Sequence, residues 1–247
     1  MDIAVPLSKP ELEKKIFSAY PEVFSDELKA NGWFYPATIK WNDEQITEQI
    51  IGEWDFSYLL DLTSKFLSNV NGGKIIDLAG GFGVDCLIMG EIAKDIEIYV
   101  LDKHGAKIDL INEVLENYTF SDGKSGKDKI TAIEGDIIDV PDFEFKFDGV
   151  YIRNIIGFLT SSKNRLEICN SIFNGVKKIS HENTWLSIRD NDIDELTQDD
   201  FTDIISSTLG HKTESYWEKS VLHRKNNKIY LCESLLQPLF AIDCKVF

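Results

Sequence analysis

Ile75-Ile76-Asp77-Leu78-Ala79-Gly80-Gly81-Phe82-Gly83 runs from a short apolar strand into a glycine cluster, and a helical pattern follows it over 84–95. Glycines suit such a turn because the chain reverses sharply and its backbone can approach a ligand where a Cβ would collide. The helix after it points backbone N–H groups into the crevice beyond the strand. Outward from this unit, residues from about 73 to 212 alternate. Strands are expected at 74–79, 97–102, 129–136, 147–154 and 183–190, and helices at 84–95, 106–118, 162–179 and 199–210. Apolar strands interleaved with amphipathic helices imply a parallel sheet covered on both faces. Ser121–Asp128 reads as a polar loop.

The two flanks differ from this middle. Over residues 1–70 the apolar positions in 10–24, 42–54 and 56–70 recur near 3.6, so helices and no strand are expected. This stretch concentrates Trp33, Phe34, Tyr35, Trp41, Trp54, Phe56 and Tyr58, which glue a helical cap onto the rest or line a pocket. At the other end, 214–224 and 228–237 flank Asn226-Asn227, a β-hairpin signal that would close the sheet with an antiparallel pair.

Composition narrows the classes. The 247 residues carry 26 Lys and Arg against 42 Asp and Glu, a formal charge of −16, with 43% apolar and 28% charged residues. That is a folded globular composition. A duplex binder neutralises phosphates with clustered cations, and the longest basic cluster here is His223-Arg224-Lys225, so nucleic acid is disfavoured as a partner. No apolar run approaches the roughly 18–20 residues of a membrane span. The start carries no secretory pattern, and a cytoplasmic location is the expectation. Cys86, Cys169, Cys232 and Cys244 share no C-x-x-C spacing and the four histidines form no close pair, so no metal site is expected. Small buried thiols in a reducing compartment are the plain reading of the cysteines.

Two acids extend the chemistry of the glycine turn. Asp102 closes the second strand, 19 residues beyond Gly83, where a carboxylate can accept hydrogen bonds from the two hydroxyls of a ribose. Gly135-Asp136 closes the third strand at the same sheet edge. Ligands bind open α/β sheets at the carboxyl ends of the strands.

With these residues in place, the stretch from about 73 to 190 resembles the class I S-adenosylmethionine-dependent methyltransferase superfamily, and the terminal hairpin fits its antiparallel seventh strand. The resemblance implies a Rossmann-like, doubly wound, mostly parallel seven-stranded α/β sheet. It implies a catalytic domain over 71–247 behind a helical lid over 1–70, and S-adenosyl-L-methionine as cofactor. Asp77, Ala79, Gly80, Gly81 and Gly83 match the acidic, glycine-rich motif beside the methionine part. Asp102, with Lys103 next to it, matches the ribose acid, and Asp136 with Ile137 the adenine pair. Phe147–Asn154 matches the fourth strand, whose end lies by the reactive methyl, so Arg153 joins the cofactor set. Ala79 departs from the usual glycine, which is tolerable if its φ is negative.

A nicotinamide dinucleotide is the rival ligand. It would need Cys86 at the third small position, and its pyrophosphate would face Asp77 and Asp85. A cationic sulfonium and ammonium tolerate those acids better. Within the resemblance, Arg153-Asn154-Ile155-Ile156 lacks the Asn/Asp-Pro-Pro-Tyr/Phe of amino methylation of bases and the Pro-Cys of cytosine C5 enzymes. Asp190-Asn191 matches half of the metal set of catechol-type enzymes, but Arg153 stands where the other carboxylate belongs and would repel a cation.

Arg153 is read in two ways, as an ion pair with an acid such as Asp190 or Asp192, or as the partner of an anionic acceptor. A carboxylate acceptor is already ionised and needs only alignment with the methyl. Carboxyl O-methylation of a small molecule or peptide is therefore the leading expectation. N-methylation of a metabolite, a cofactor-binding regulator without turnover, and aminopropyl transfer are the alternatives. Tyr151 alternates with Arg153 along its strand and is a candidate for positioning the acceptor, or ordinary core. Tyr20, Tyr35, Asn154 and Phe158 are the lid and acceptor candidates, and the histidines read as surface residues.

Overall fold

The computed structural model describes residues 7–20, 39–41, 44–46, 56–70, 72–153, 155–156, 164–190, 203–204, 207–209, 214–218, 222–225, 228–231 and 239–245. In chain order the elements are α1 (Lys9–Ala19), β1 (Ile39–Trp41), β2 (Glu44–Ile46), α2 (Phe56–Asn69), β3 (Gly73–Leu78), α3 (Val84–Ile92), β4 (Ile96–Asp102), α4 (Gly105–Asn117) and α5 (Gly126–Lys129). They continue as β5 (Ile130–Glu134), β6 (Phe147–Arg153), α6 (Arg165–Ile179), β7 (Ser180–Asp190), β8 (Glu214–Glu218), β9 (Leu222–Lys225), β10 (Lys228–Leu231) and β11 (Leu239–Lys245).

Five strands form a parallel α/β sheet of Rossmann-like type in the order β5-β4-β3-β6-β7. The order reverses between β3 and β6, so the crevice beyond their carboxyl ends is the switch point where such sheets take ligands. Burial on both faces explains the near-continuous apolar runs of β3 and β6. Ile75, Ile98, Val100 and Tyr151 lie in one core cluster with α1, α2, α3 and α4. Ile76, Leu78, Leu101, Val150, Ile152, Leu186 and Ile188 lie in the other with Cys169, Ile172, Phe173 and Val176 of α6.

Helix α3 places the N-terminal helices. Asp85 through Ile92 are all buried, and a helix apolar around its circumference needs cover on every side. The sheet supplies one side, and α1 and α2 supply others. The polar group this buries is Glu91. It is satisfied by Lys15 Nζ at 2.6 Å, by the Tyr118 hydroxyl at 2.8 Å, and by the amide and hydroxyl of Ser121 at 3.2 and 2.5 Å. Four partners, one of them cationic, offset the desolvation of that carboxylate.

Three expectations change. Residues 1–70 were expected to hold no strand, and 42–54 to be helical. Ile39–Trp41 and Glu44–Ile46 instead pair antiparallel, with Ile39 opposite Ile46. Leu222–Lys225 and Lys228–Leu231, on either side of Asn226-Asn227, also pair antiparallel, with Lys225 opposite Lys228, but as a separate two-stranded sheet. The strands that adjoin the parallel sheet are β11, antiparallel beside β7, and β8, antiparallel beside β11. The polar loop over 121–128 ends in the short helix α5, capped by the Ser125 hydroxyl accepting from the Asp128 amide. Among the described residues no helix is long and apolar enough to cross a membrane.

Candidate active site

The turn after β3 is built from alternating left-handed residues. Ala79, Gly81 and Gly83 have φ of 62°, 58° and 72°. Ala79 therefore overturns the expectation of a negative φ. A non-glycine residue there costs about 1–2 kcal/mol, and the fold meets that cost because the chain must leave β3 and enter α3 within five residues. The glycines also divide by cause. A Cβ on Gly80 would stand 2.5 Å from Val100 Cγ2 and 2.8 Å from Asp77 Oδ2, so its smallness serves the protein's own packing. A Cβ on Gly81 would meet nothing within 4 Å among the described residues, and its backbone angle selects glycine.

Hydrogen bonds lock this turn. The Gly80 amide donates to the Leu101 carbonyl at 3.0 Å, and the Gly83 amide to the Gly80 carbonyl at 2.9 Å. The Gly81 amide donates to Asp102 Oδ2 at 3.0 Å. Asp102 also accepts from the His104 amide at 3.0 Å and from Lys107 Nζ at 3.3 Å. Asp102 thus ties the end of β4 to the glycine turn, as its place in the sequence required. Lys103 is exposed just past it. The Gly135 amide donates to the Asp102 carbonyl at 3.0 Å and brings the end of β5 alongside. Asp136 follows there, its Oδ1 accepting from the Ile138 amide at 3.1 Å. The next pair differs from expectation: Ile137 is 3% exposed and belongs to the core, whereas Ile138 is 42% exposed. Ile137 and Ile138 form a turn closed by the Asp136–Asp139 bridge, which buries the first and exposes the second.

The end of β6 gathers charge. Arg153 holds Asp85, the second residue of α3, with Nε to Oδ2 at 2.5 Å and Nη2 to Oδ1 at 3.3 Å. This is the ion-pair reading, with a partner other than Asp190 or Asp192. Burial alone would lower the Arg153 pKa, but Asp85 outweighs it and holds the guanidinium charged. Asp77 lies beside this pair and accepts from the Cys86 thiol at 3.6 Å. Burial, then repulsion from Asp85, pushes Asp77 up to about 8, against the pull of Arg153. Burial likewise raises the Cys86 thiol.

Tyr151 sits two residues before Arg153 on β6, Cα partner of Asp77 on one side and of Ser187 on the other. It is 1% exposed, its ring 5.2 Å from that of Phe66. That is a core position, and burial raises its pKa. Among the described residues the hydroxyls of Tyr151 and Ser187 have no hydrogen-bond partner. Arg189, the Cα partner of Arg153 on β7, is buried as well and was not singled out from sequence.

Tyr20, at the end of α1, is buried, and its hydroxyl donates to the Phe82 carbonyl in the glycine turn at 2.7 Å. Tyr35, Asn154 and Phe158 lie outside the described residues, as does Asp192. Among the described residues no group of three or more His, Cys, Asp or Glu side chains is placed to hold a metal.

No protein-family model matches this chain, and no curated protein matches it. Solved structures do. Precorrin-6y C5,15-methyltransferase from Geobacter metallireducens GS-15 aligns with a TM-score of 0.51 at 14% identity, covering 82% of this chain and 93% of that one. A candidate O-methyltransferase from Nostoc punctiforme PCC 73102 aligns with a TM-score of 0.51 at 12% identity, over 76% of this chain and 56% of that one. This chain therefore spans little more than half of that second protein. At such identities the likeness is one of architecture: the chain has the class I methyltransferase fold.

Proposed function

We propose that this chain is an S-adenosyl-L-methionine-dependent methyltransferase that modifies oxygen on a small molecule or peptide. The observation that carries the reading is the glycine turn of left-handed residues at the switch point, its Gly81 amide fastened to Asp102. Gly81 has open space around it among the described residues, which suits close approach of its backbone to a ligand.

The residues fit the cofactor chemically. Asp77, Ala79, Gly80, Gly81 and Gly83 would hold its amino-acid part, Asp102 and Lys103 its sugar, and Asp136 its purine edge, with Ile138 rather than Ile137 offering the exposed apolar face. Asp102 accepts three hydrogen bonds already, and a carboxylate has about four acceptor positions. One ribose hydroxyl fits directly, and the other would share a position with Lys107. When bound, the cofactor supplies an electrophilic methyl group on a sulfonium. The acidic surroundings, Asp77 and Asp85, favour that cation over a pyrophosphate.

For the acceptor, Arg153 stands at the carboxyl end of β6. Asp85 holds the guanidinium through Nε and Nη2, and an acceptor carboxylate would share Arg153 with Asp85. The pair keeps the guanidinium fixed in place, and an ionised carboxylate needs no general base. Helices α1 and α2 act as the lid, with 71–247 as the catalytic domain. The full sheet is the seven-stranded one closed by an antiparallel pair.

Calorimetry tests the cofactor. S-adenosylhomocysteine is expected to bind and NADH is not, and clean NADH titration without nucleoside binding would overturn the reading. Transfer of a radiolabelled methyl group to base-labile products in a metabolite and peptide extract tests carboxyl O-methylation. Base-stable label would exclude a carboxyl ester and leave an ether oxygen, nitrogen or carbon.

A further inference from the structure

Contacts from the sheet, from α4 and from the N-terminal helix hold the glycine turn. Leu101 takes the Gly80 amide, Asp102 takes the Gly81 amide, and Lys107 lies 5.5 Å from the centre of the Phe82 ring. The last of these, the Tyr20 hydroxyl on the Phe82 carbonyl at 2.7 Å, arrives from α1, 62 residues earlier in the chain. The peptide unit it holds is the one between Phe82 and Gly83. Phe82 and Gly83 flank that unit, and Gly83 has a φ of 72°. Glycine tolerates both signs of φ, so on the Gly83 side the unit could rotate without steric penalty. Two hydrogen bonds oppose the rotation: the Gly83 amide to the Gly80 carbonyl, and Tyr20 to the Phe82 carbonyl.

The helix that delivers Tyr20 is itself anchored at both ends of α3. Lys15 Nζ meets the buried Glu91 carboxylate near the C-terminus of α3 at 2.6 Å, and its charge lies 5.1 Å from the Tyr118 ring centre. Tyr20 meets the turn that opens α3. Leu12, Ile16 and Tyr20, all buried, occupy one face of α1 at i, i+4 and i+8 spacing. The helix is thus positioned along its length, and its last side chain reaches the turn with its hydroxyl desolvated. Burial raises the Tyr20 pKa, so the group stays a donor throughout the physiological range.

We propose that Tyr20 is a positioning residue for cofactor binding: its hydroxyl fixes the Phe82–Gly83 peptide in the orientation that the glycine turn presents to the nucleoside. The N-terminal helix then acts on the site by holding this peptide from behind. The inference rests on the cofactor reading above and adds how the N-terminal region would set affinity.

The test compares Tyr20→Phe with Tyr118→Phe. The second removes a buried hydroxyl from the same helix-docking network at Glu91, at the C-terminal end of α3. Each loses one buried hydrogen bond, so both are expected to lower Tm by similar amounts. Tyr20→Phe is expected to weaken S-adenosylhomocysteine binding about fivefold to tenfold by calorimetry and to raise KM for the methyl donor with little change in kcat. It should also speed amide exchange at Gly83 at least about fivefold. Tyr118→Phe should leave both affinity and Gly83 exchange as in the wild type. Affinity within twofold of wild type in Tyr20→Phe would overturn the proposal, as would equal losses of affinity in the two variants. If the wild type binds no S-adenosylhomocysteine, it is the cofactor reading that fails. The Gly83 exchange rate still judges the lock, and an unchanged rate in Tyr20→Phe overturns it.

Discussion

The two halves of the crevice are held by different forces. At the end of β3 the glycine turn is fastened by short-range hydrogen bonds to the carbonyl of Leu101 and the carboxylate of Asp102. Beside it, partly exposed Arg153 at the end of β6 pairs with buried Asp85, next to the buried carboxyl group of Asp77, and the hydroxyls of Tyr151 and Ser187 have no partner among the described residues. The first half is a satisfied backbone cradle, whose cost is conformational. The second stores desolvation, and its groups answer to charge. Mutations in the second half should therefore act through electrostatics and pH, and in the first through backbone geometry.

The largest expected effect breaks the charged half. Arg153→Ala leaves Asp85 buried without its cation beside Asp77, and such a loss costs about 3–5 kcal/mol. Asp85→Asn together with Arg153→Gln removes both charges and should recover most of that stability. Urea unfolding of the two single variants and the double variant checks this. Additive losses would show that the pair is not coupled. The same logic separates structure from catalysis, because Arg153→Lys keeps the charge against Asp85 while losing the planar fork. A folded Arg153→Lys protein with undiminished turnover would remove Arg153 from acceptor recognition.

Next comes Asp77. Its folded value, about 8, lies above the ordinary 3.8, so the folded protein keeps a proton that the unfolded chain has released. Its contribution to stability is complete below the ordinary carboxylate value and is lost as pH rises toward about 8. Asp77→Asn should flatten the dependence of unfolding stability on pH between about 5 and 8. A cationic ligand in the turn favours the carboxylate, so binding of the sulfonium form should release a proton at neutral pH. Calorimetry in buffers of different ionisation enthalpy reads that release. Equal proton counts in the wild type and Asp77→Asn would refute the assignment.

What was legible in the sequence follows the same division. Local patterns carried the parallel sheet, because strands such as Ile75–Leu78 and Val150–Ile152 are apolar on both faces. Spacing alone placed Asp102 against the glycine turn, since parallel neighbours end at one edge. The charged half was not legible in the same way. Asp85 lies 68 residues from Arg153, and only the packing of α3 over the end of β6 makes them partners. Ile137 and Ile138 have the same chemistry, and backbone direction after Asp136 decided which one is buried. At the chain's flanks, the pairing of Ile39–Trp41 with Glu44–Ile46 prevailed over helical spacing. The strand pair around Asn226-Asn227 was visible, but its separation from the main sheet depends on β11, which no local signal announced.

Smaller effects sharpen the geometric half. Gly80→Ala and Gly81→Ala place the same methyl on neighbouring residues with opposite surroundings. At Gly80 it meets Val100 Cγ2 and Asp77 Oδ2 at 2.5 and 2.8 Å, and overpacking of this kind costs about 1–3 kcal/mol. At Gly81 there is room, and the cost is the left-handed backbone, about 1 kcal/mol. Gly80→Ala should therefore lower Tm more. Gly81→Ala should weaken nucleoside binding more, because its Cβ takes up open space where the backbone would meet a ligand. Matching losses in both assays would mean that the two glycines serve one purpose.

The smallest effect, and the only gain, is expected at Ala79. Its φ of 62° puts a Cβ where glycine would be at ease. Ala79→Gly relieves left-handed strain of about 1–2 kcal/mol but gives the unfolded chain more freedom, which takes back roughly 0.4–1 kcal/mol. The net is a stabilisation of up to about 1.6 kcal/mol, readable as a small rise in the urea midpoint at unchanged slope. Affinity for the nucleoside should stay within about twofold, because Gly81 and Asp102, not Ala79, present the turn to the crevice. A destabilised Ala79→Gly variant would mean that the alanine methyl packs usefully and that the turn is held by its side chains as well as by its backbone.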